Sequence, residues 1–262
     1  MPDALFHRDG DNYLPGPLTE GPWSPDAQHG GPPAALLARA IEQAPSESEM
    51  VIARLSIELV RPVPLKPLAV AAEVTRPGRK VQLVSASISH DGQVVATAVG
   101  LKIRKGSVQI PSISRSGEAI PGPEEGNPAT FFSNAGAYAT EAVEIQMIEG
   151  DFSQAGPGKA WIRLRVPLLE GEETTPVERV AAAADFGNGV SNLAGDVRSW
   201  LFINPDLTIR MARPPQGDWV FLDSESQLHE TGTGMATSRL ADEAGWLGVA
   251  GQSLLVDTFE SG

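Results

Sequence analysis

The stretch Arg54-Leu55-Ser56-Ile57-Glu58-Leu59-Val60-Arg61-Pro62 returns later in the chain as Asp206-Leu207-Thr208-Ile209-Arg210-Met211-Ala212-Arg213-Pro214. Each copy alternates apolar and mostly polar residues, the period-two pattern of a strand with one buried face. Leu55 answers Leu207, Ile57 answers Ile209, and Arg61-Pro62 answers Arg213-Pro214, all at one offset (207 − 55 = 152). Self-similarity at a constant offset means two copies of one structural unit.

Outward from this pair the offset holds at Ile88 and Leu240. It is expected to lengthen by one where Asp91-Gly92 is answered by Asp242-Glu243-Ala244-Gly245, so that Leu101 matches Leu254 and Ile103 matches Val256 (254 − 101 = 153). An extra residue is tolerated in a hairpin turn. Both halves then read as long strand, strand from about Leu68 or Val220, strand from about Val81 or Met235, hairpin and final strand. Consecutive strands joined by short turns imply an antiparallel meander. Another alternating strand is expected at Trp161-Ile162-Arg163-Leu164-Arg165-Val166.

A helix is expected ahead of each long strand. Pro32 and Pro33 suit a first turn, and Ala34 to Glu42 are mostly strong helix formers, with Leu37 and Ile41 on one face. Pro176 to Phe186 has the same character and is almost all small and apolar, so it should be buried against a sheet. Between the halves the chain is rich in Ser, Gly and Pro, as in Pro121-Gly122-Pro123, which predicts a linker with little regular structure.

Composition bounds the function. The hydrophobic fraction of 41% with 20% charged residues is that of a folded, water-soluble protein. The absence of Cys excludes disulfides, thiolate metal sites and a cysteine nucleophile, and fits a cytoplasmic address. No run approaches the roughly 20 apolar residues of a bilayer span, and the first residues do not resemble a secretion signal, so no membrane association is expected. A net charge of −13 disfavours nucleic acid as a partner. The run Arg76-Pro77-Gly78-Arg79-Lys80 reads either as a solvated turn or as a local seat for a polyanionic small ligand.

One central helix followed by a long antiparallel sheet resembles the hotdog fold, and two tandem copies resemble the type II acyl-CoA thioesterases of the thioesterase-like superfamily. The resemblance includes His29-Gly30-Gly31 before the first helix, Arg61-Pro62 and Arg213-Pro214 after the long strands, an Asp in the second helix and Gly251-Gln252-Ser253 in the last strand. It implies an α+β double hotdog, with two antiparallel sheets each wrapped around a central helix. The expected units are residues 1–105 and 140–262, joined by a linker over 106–139.

The resemblance implies hydrolysis of an acyl-CoA by a water held between an acidic residue, a hydroxyl residue and a Gln, without metal or cofactor. In this sequence these positions become Asp185, Asn204 and Gln252, with Asn in place of the family's usual threonine. Asp185 would be the base, its pKa raised by partial burial; Asn204 and Gln252 would orient the water. Backbone N–H groups of His29-Gly30-Gly31 would face the carbonyl oxygen as it becomes negative and line the substrate site.

By the offsets above, Asn204 answers Ile52, Gln252 answers Val99 and Asp185 answers Pro33, which predicts one centre per chain. Outside the resemblance, an Asp near a helix end is usually a cap or solvated, Asn204 before Pro205 could be a turn former, and Gln252 could simply satisfy a strand. His29 is read as a loop or substrate-lining residue, with a general-base role as the alternative. That alternative leads to a hotdog hydratase or dehydratase, and a non-catalytic acyl-CoA binding module is a third reading. Asp185-Phe186-Gly187 matches the kinase magnesium tripeptide without that family's other motifs, and the four histidines lack metal-ligand spacing. The resemblance leaves a homo-oligomer open.

Overall fold

A computed structural model describes residues 4–109, 119–131, 135–192 and 200–258. The first half runs β1 (Phe6–Asp9), β2 (Asn12–Pro15), α1 (Gly31–Gln43), β3 (Met50–Glu58), β4 (Leu68–Arg76), β5 (Val81–His90) and β6 (Gln93–Arg104). The second runs β7 (Asn127–Pro128), β8 (Val143–Glu149), β9 (Gly158–Leu164), α2 (Pro176–Ala184), α3 (Gly187–Val190), β10 (Trp200–Ile203), β11 (Asp206–Met211), β12 (Val220–His229), β13 (Thr233–Asp242) and β14 (Gly245–Thr258).

The strands do not form the two separate sheets expected. They make one continuous antiparallel sheet in the order β1-β2-β4-β5-β6-β3-β11-β14-β13-β12-β9-β8-β7, with β10 on β14. The halves fuse where β3 pairs with β11, the two stretches that revealed the repeat. Leu55 lies opposite Ile209, Ile57 opposite Leu207, and Ser56 opposite its own repeat counterpart Thr208. A local two-fold axis therefore passes through the Ser56–Thr208 pair. Joining the two edges there satisfies backbone groups that each half alone would leave unpaired.

Both central helices lie against the sheet's inner face, and antiparallel to each other. Gly31 of α1 stands beside Ala182 of α2, Arg39 beside Glu178, and Glu42 beside Thr175, at the start of α2. Pro32 and Pro33 fall in the first turn of α1, where their missing N–H groups cost nothing. Thr175 caps α2 reciprocally with Glu178: its hydroxyl accepts from the Glu178 N–H while the carboxylate accepts from the Thr175 N–H. Leu36, Leu37 and Ile41 of α1, with Leu55, Ile57 and Ile209 of the sheet, are essentially inaccessible. Burying each such side chain contributes about 1.5–3 kcal/mol.

The expected extra residue in the second hairpin is not there. His90 pairs with Gln93 around Asp91-Gly92, and Asp242 pairs with Gly245 around Glu243-Ala244, so the two turns have equal length. Both hairpins also carry a bulge at the same place, between Ile88 and Ser89 and between Leu240 and Ala241. The offset of 152 therefore continues through the last strand, and Gln252 answers Gly100 (252 − 152), not Val99. Burial agrees: Gly100 and Gln252 face the helices while Val99 faces outward. A slip of one residue would have turned Gln252 to the wrong side of the sheet.

The segment expected to be an unstructured linker contributes β7 to the sheet edge and the first two residues of a turn of π-helix, Tyr138–Ala142. Part of that segment, residues 110–118 and 132–134, lies outside the described residues.

Candidate active site

Asp185 is the residue that ends α2, and its carboxylate points into the junction between the halves. It is 7% exposed. Oδ1 accepts a hydrogen bond from Asn204 Nδ2 at 2.7 Å and a longer one from Gln252 Nε2 at 3.3 Å. Oδ2 lies 2.9 Å from His29 Nδ1. The three positions singled out in the sequence thus converge on one another, joined by a histidine from the other half.

Each group arrives by a different local device. Asn204 stands at the break between β10 and β11, with Pro205 next to it. In the first half the matching strand is bulged between Ile52 and Arg54, which puts Ala53 at the position of Pro205. A bulge is where a strand accommodates proline, and here it aims Asn204 at the carboxylate. Gln252 is an inward-facing residue of β14 with both ends of its amide engaged. Its Oε1 accepts from the Asn188 N–H at 3.0 Å, and Nε2 also donates to the Asp185 carbonyl at 3.1 Å. Gln252 therefore ties the α2–α3 junction to the sheet and fixes the Asp185 backbone and side chain together.

His29 immediately precedes the N-cap of α1. Its ring packs against both Tyr138 and Phe186, with centroids 4.8 and 4.6 Å away. Two acceptors cannot sit 2.9 Å apart without a proton between them, so the network assigns the proton to His29 Nδ1, donated to Asp185. The Gly31 N–H, 3.1 Å from the same nitrogen, then has no lone pair to bond to and is left as a donor at the helix start. Pro32 and Pro33 carry no N–H, and the Ala34 N–H bonds to the Gly30 carbonyl. The His29 N–H donates to the Thr19 carbonyl at 2.9 Å, so of the three residues expected to supply oxyanion donors only the two glycines keep theirs out of backbone hydrogen bonds.

Gly30 and Gly31 are glycines because of close approach. A Cβ on Gly31 would meet the Ala182 carbonyl oxygen at 2.6 Å, and one on Gly30 would meet Asp185 Oδ2 at 2.6 Å. Gly30→Ala should consequently push the carboxylate off its partners. Turnover is expected to fall roughly tenfold to a hundredfold with the thermal unfolding midpoint little changed; steady-state kinetics beside a melting curve would check this.

The carboxylate's electrostatics differ from the sequence expectation. Burial does push the Asp185 pKa up and is the largest single influence, but His29, Asn204 and Gln252 together outweigh it and hold the group below the usual carboxylate range. Stabilisation of the charged form by a facing histidine and two amide donors is the reason. Burial, with the Asp185 charge nearby, pushes the Tyr138 phenol well up, so it stays protonated. Its hydroxyl donates to the Ala182 carbonyl at 3.0 Å, and its ring stacks on Phe186.

Tyr138, Phe186 and Asn188 were not singled out for the site in the sequence. Tyr138 sits in a stretch without periodicity, and only its aromatic character amid Ser, Gly and Pro could have drawn notice. Arg76-Pro77-Gly78-Arg79-Lys80 forms a largely exposed turn between β4 and β5.

The local two-fold gives this site a counterpart in the first half. Asn204 answers Ile52 and Gln252 answers Gly100. Asp185 answers Ala44, not Pro33, because each is the residue that closes its central helix. The three counterpart positions Ile52, Gly100 and Ala44 carry no polar side chain, and Ile41 fills the space beside Gly100. Lys102 caps the end of α1 there, donating to the carbonyls of Glu42 and Ala44 at 3.1 and 2.9 Å.

A helix pair wrapped by a fused antiparallel sheet, with a polar centre at one helix junction, defines a protein of the hotdog class. Residues 19–102 match the model for the acyl-CoA thioesterase N-terminal domain and residues 120–256 that for the C-terminal domain, so the chain belongs to the acyl-CoA thioesterase family. Among solved structures it is similar to a conserved hot dog fold protein of unknown function from Alicyclobacillus acidocaldarius, at 16% identity and a TM-score of 0.74 over 99% of this chain and 98% of that one. It is also similar to the acyl-CoA thioesterase II TesB2 of Mycobacterium marinum, at 15% identity and a TM-score of 0.68 over 98% of this chain and 95% of that one. The tesB protein of Mycobacterium avium subs paratuberculosis matches at 16% identity and 0.67, over 96% of both chains. At these identities the likeness is one of fold. No curated protein matches the sequence. No helix among the described residues is long and apolar enough to cross a membrane.

Proposed function

We propose that this protein hydrolyses the thioester of an acyl-CoA to free acid and CoA, through a water activated by Asp185 in a double hotdog with one centre per chain. The units are residues 1–105 and 140–262, and the cysteine-free composition accommodates a cytoplasmic setting. The observation that carries the reading is the convergence of Asn204, Gln252 and His29 on the two oxygens of one buried carboxylate.

Asp185 stays ionised, so it accepts a proton from water as that water attacks the thioester carbonyl. Asn204 and Gln252 hold the carboxylate in place, while Gly30 and Gly31 N–H groups stabilise the oxyanion as it forms. Collapse of the tetrahedral intermediate expels the CoA thiolate, which takes up the proton. A panel of acyl-CoA esters of different chain length, monitored with a thiol reagent, should give release of one thiol per ester without added cofactor.

The contact between His29 Nδ1 and Asp185 Oδ2 favours one second reading, hydration of an enoyl thioester by this pair. The same panel separates the two. Loss of enoyl absorbance with no thiol released would sink the hydrolase reading, and thiol release from saturated esters would sink the hydratase.

A further inference from the structure

Among the described residues the buried serines all lie behind the site, and hydrolysis as described does not use them. Ser224 and Ser226 of β12 and Ser238 of β13 face inward on the floor beneath α3, and Ser191 closes that helix. Each is 5% exposed or less. At the offset of 152 the three floor positions are Ala72, Val74 and Ala86 in the first half, in the same register. A buried hydroxyl costs stability unless it is hydrogen-bonded. Serines gathered in one half, where the other half has Ala and Val, therefore need a role that packing does not supply.

The hydrogens fix the direction of the bonds. Ser191 has one hydroxyl proton and gives it to the Gly187 carbonyl at 2.7 Å, an oxygen that can only accept. The 2.7 Å contact between Ser226 and Ser191 is then a donation from Ser226. α3 is one turn of four residues, too short to hold its shape unaided. The relay from Ser226 through Ser191 to the Gly187 carbonyl ties that turn to the sheet. Gly187 lets it sit close on the floor, since a Cβ there would meet Ser238 Oγ at 2.8 Å and Gln252 Oε1 at 3.0 Å. The Ser224 and Ser238 hydroxyls, 2.7 Å apart, brace the floor beneath it.

α3 in turn orients Gln252. The Asn188 N–H donates to Gln252 Oε1 at 3.0 Å, which leaves Nε2 to face Asp185. A reversed amide would set its oxygen against the carboxylate, acceptor against acceptor. The second donor on Asp185 Oδ1 therefore depends on where α3 holds one backbone N–H.

We propose that Ser226 and Ser191 are positioning residues for the hydrolysis: their hydroxyls lock α3, and α3 locks the Gln252 amide with its donor end on Asp185. Both act through Gln252 and not on the substrate. The inference rests on the reading of Asp185 as the base.

Thiol release measured in a double-mutant cycle with Gln252 tests the link. Val74 at the counterpart position shows that a β-branched side chain suits such a place on the floor, so Ser226→Val and Ser226→Thr differ from each other chiefly in the hydroxyl. Ser226→Val should lower kcat about tenfold with KM nearly unchanged, as expected when a catalytic group is held less accurately, while Ser226→Thr stays within about twofold of wild type. In a Gln252→Ala background, Ser226→Val should cost almost nothing more. Ser191→Ala breaks the relay from its other side and should follow Ser226→Val, which covers misfolding of either variant. Losses that multiply across the two sites, a Thr variant as poor as the Val one, or a Ser226→Val enzyme that turns over like wild type would each overturn the inference and leave Asp185 as the base. An Asp185→Asn enzyme as active as wild type would overturn that reading, and this inference with it.

Discussion

Asp185→Asn should leave about one hundredth to one ten-thousandth of the wild-type hydrolysis, the range for removing a positioned general base. Asn keeps the shape and can still accept from Asn204, but it offers no site for the proton of the attacking water. It also removes the negative charge toward which His29 Nδ1 donates. The loss should appear in kcat across all chain lengths, since the acyl chain does not bind through this carboxylate.

The same variant has a pH signature that does not depend on substrate. Because the folded-state pKa of Asp185 is lowered, the ionised carboxylate contributes stability above its unfolded value of about 3.9, and that contribution disappears as pH falls through the folded pKa. The stability of the wild type relative to Asp185→Asn should therefore be greater at neutral pH than in acid, as read from urea unfolding at each pH. A variant that hydrolyses at nearly the wild-type rate, with an unchanged fold, removes Asp185 from the chemistry.

The largest stability effect is expected away from the site, where the helices cross. Arg39 of α1 donates to Glu178 of α2 at 2.9 Å and pairs also with Glu172. The Arg39 side chain is 6% exposed and that of Glu178 1%. Burial lifts the Glu178 pKa, partly offset by the Thr175 N–H and by Arg39 itself. Arg39→Ala would strand a buried carboxylate and should cost about 3–5 kcal/mol. The double change Arg39→Met with Glu178→Gln keeps the side chain that caps Thr175 and removes both charges, so it should cost much less. Urea midpoints distinguish the cases; a single variant within about 1 kcal/mol of wild type would show that the pair is not holding the helices together.

Much of this architecture was readable from local patterns. The alternation around Leu55 and Leu207 identified the two long strands, the Pro-then-Ala runs identified both central helices, and short turns identified the meanders β4-β5-β6 and β12-β13-β14; the long strands β3 and β11 leave the expected meander order and pair with the last strand of their half and with each other. Asp185, Asn204 and Gln252 were found through resemblance to a family, not through any chemical signal of their own. His29 was expected to line the site, but its direct contact with Asp185 was not foreseen, because the two lie far apart in sequence. The misplaced residue in the second hairpin had a definite cause. Leu101 matches Leu254 by hydrophobicity alone, whereas equal turns and a shared bulge set Leu101 against Ser253.

Local pattern is enough to set the elements, namely two repeats, their helices and which strand faces are apolar, because periodicity acts between residues within a turn or two of one another. Tertiary structure alone decided that the repeats share one sheet through β3 and β11, and that Tyr138 leaves the linker to pack in the centre. It also decided that Asp185 is held ionised despite burial. Those outcomes depend on groups brought together from distant parts of the chain, and the balance between desolvation and facing partners exists only once they meet.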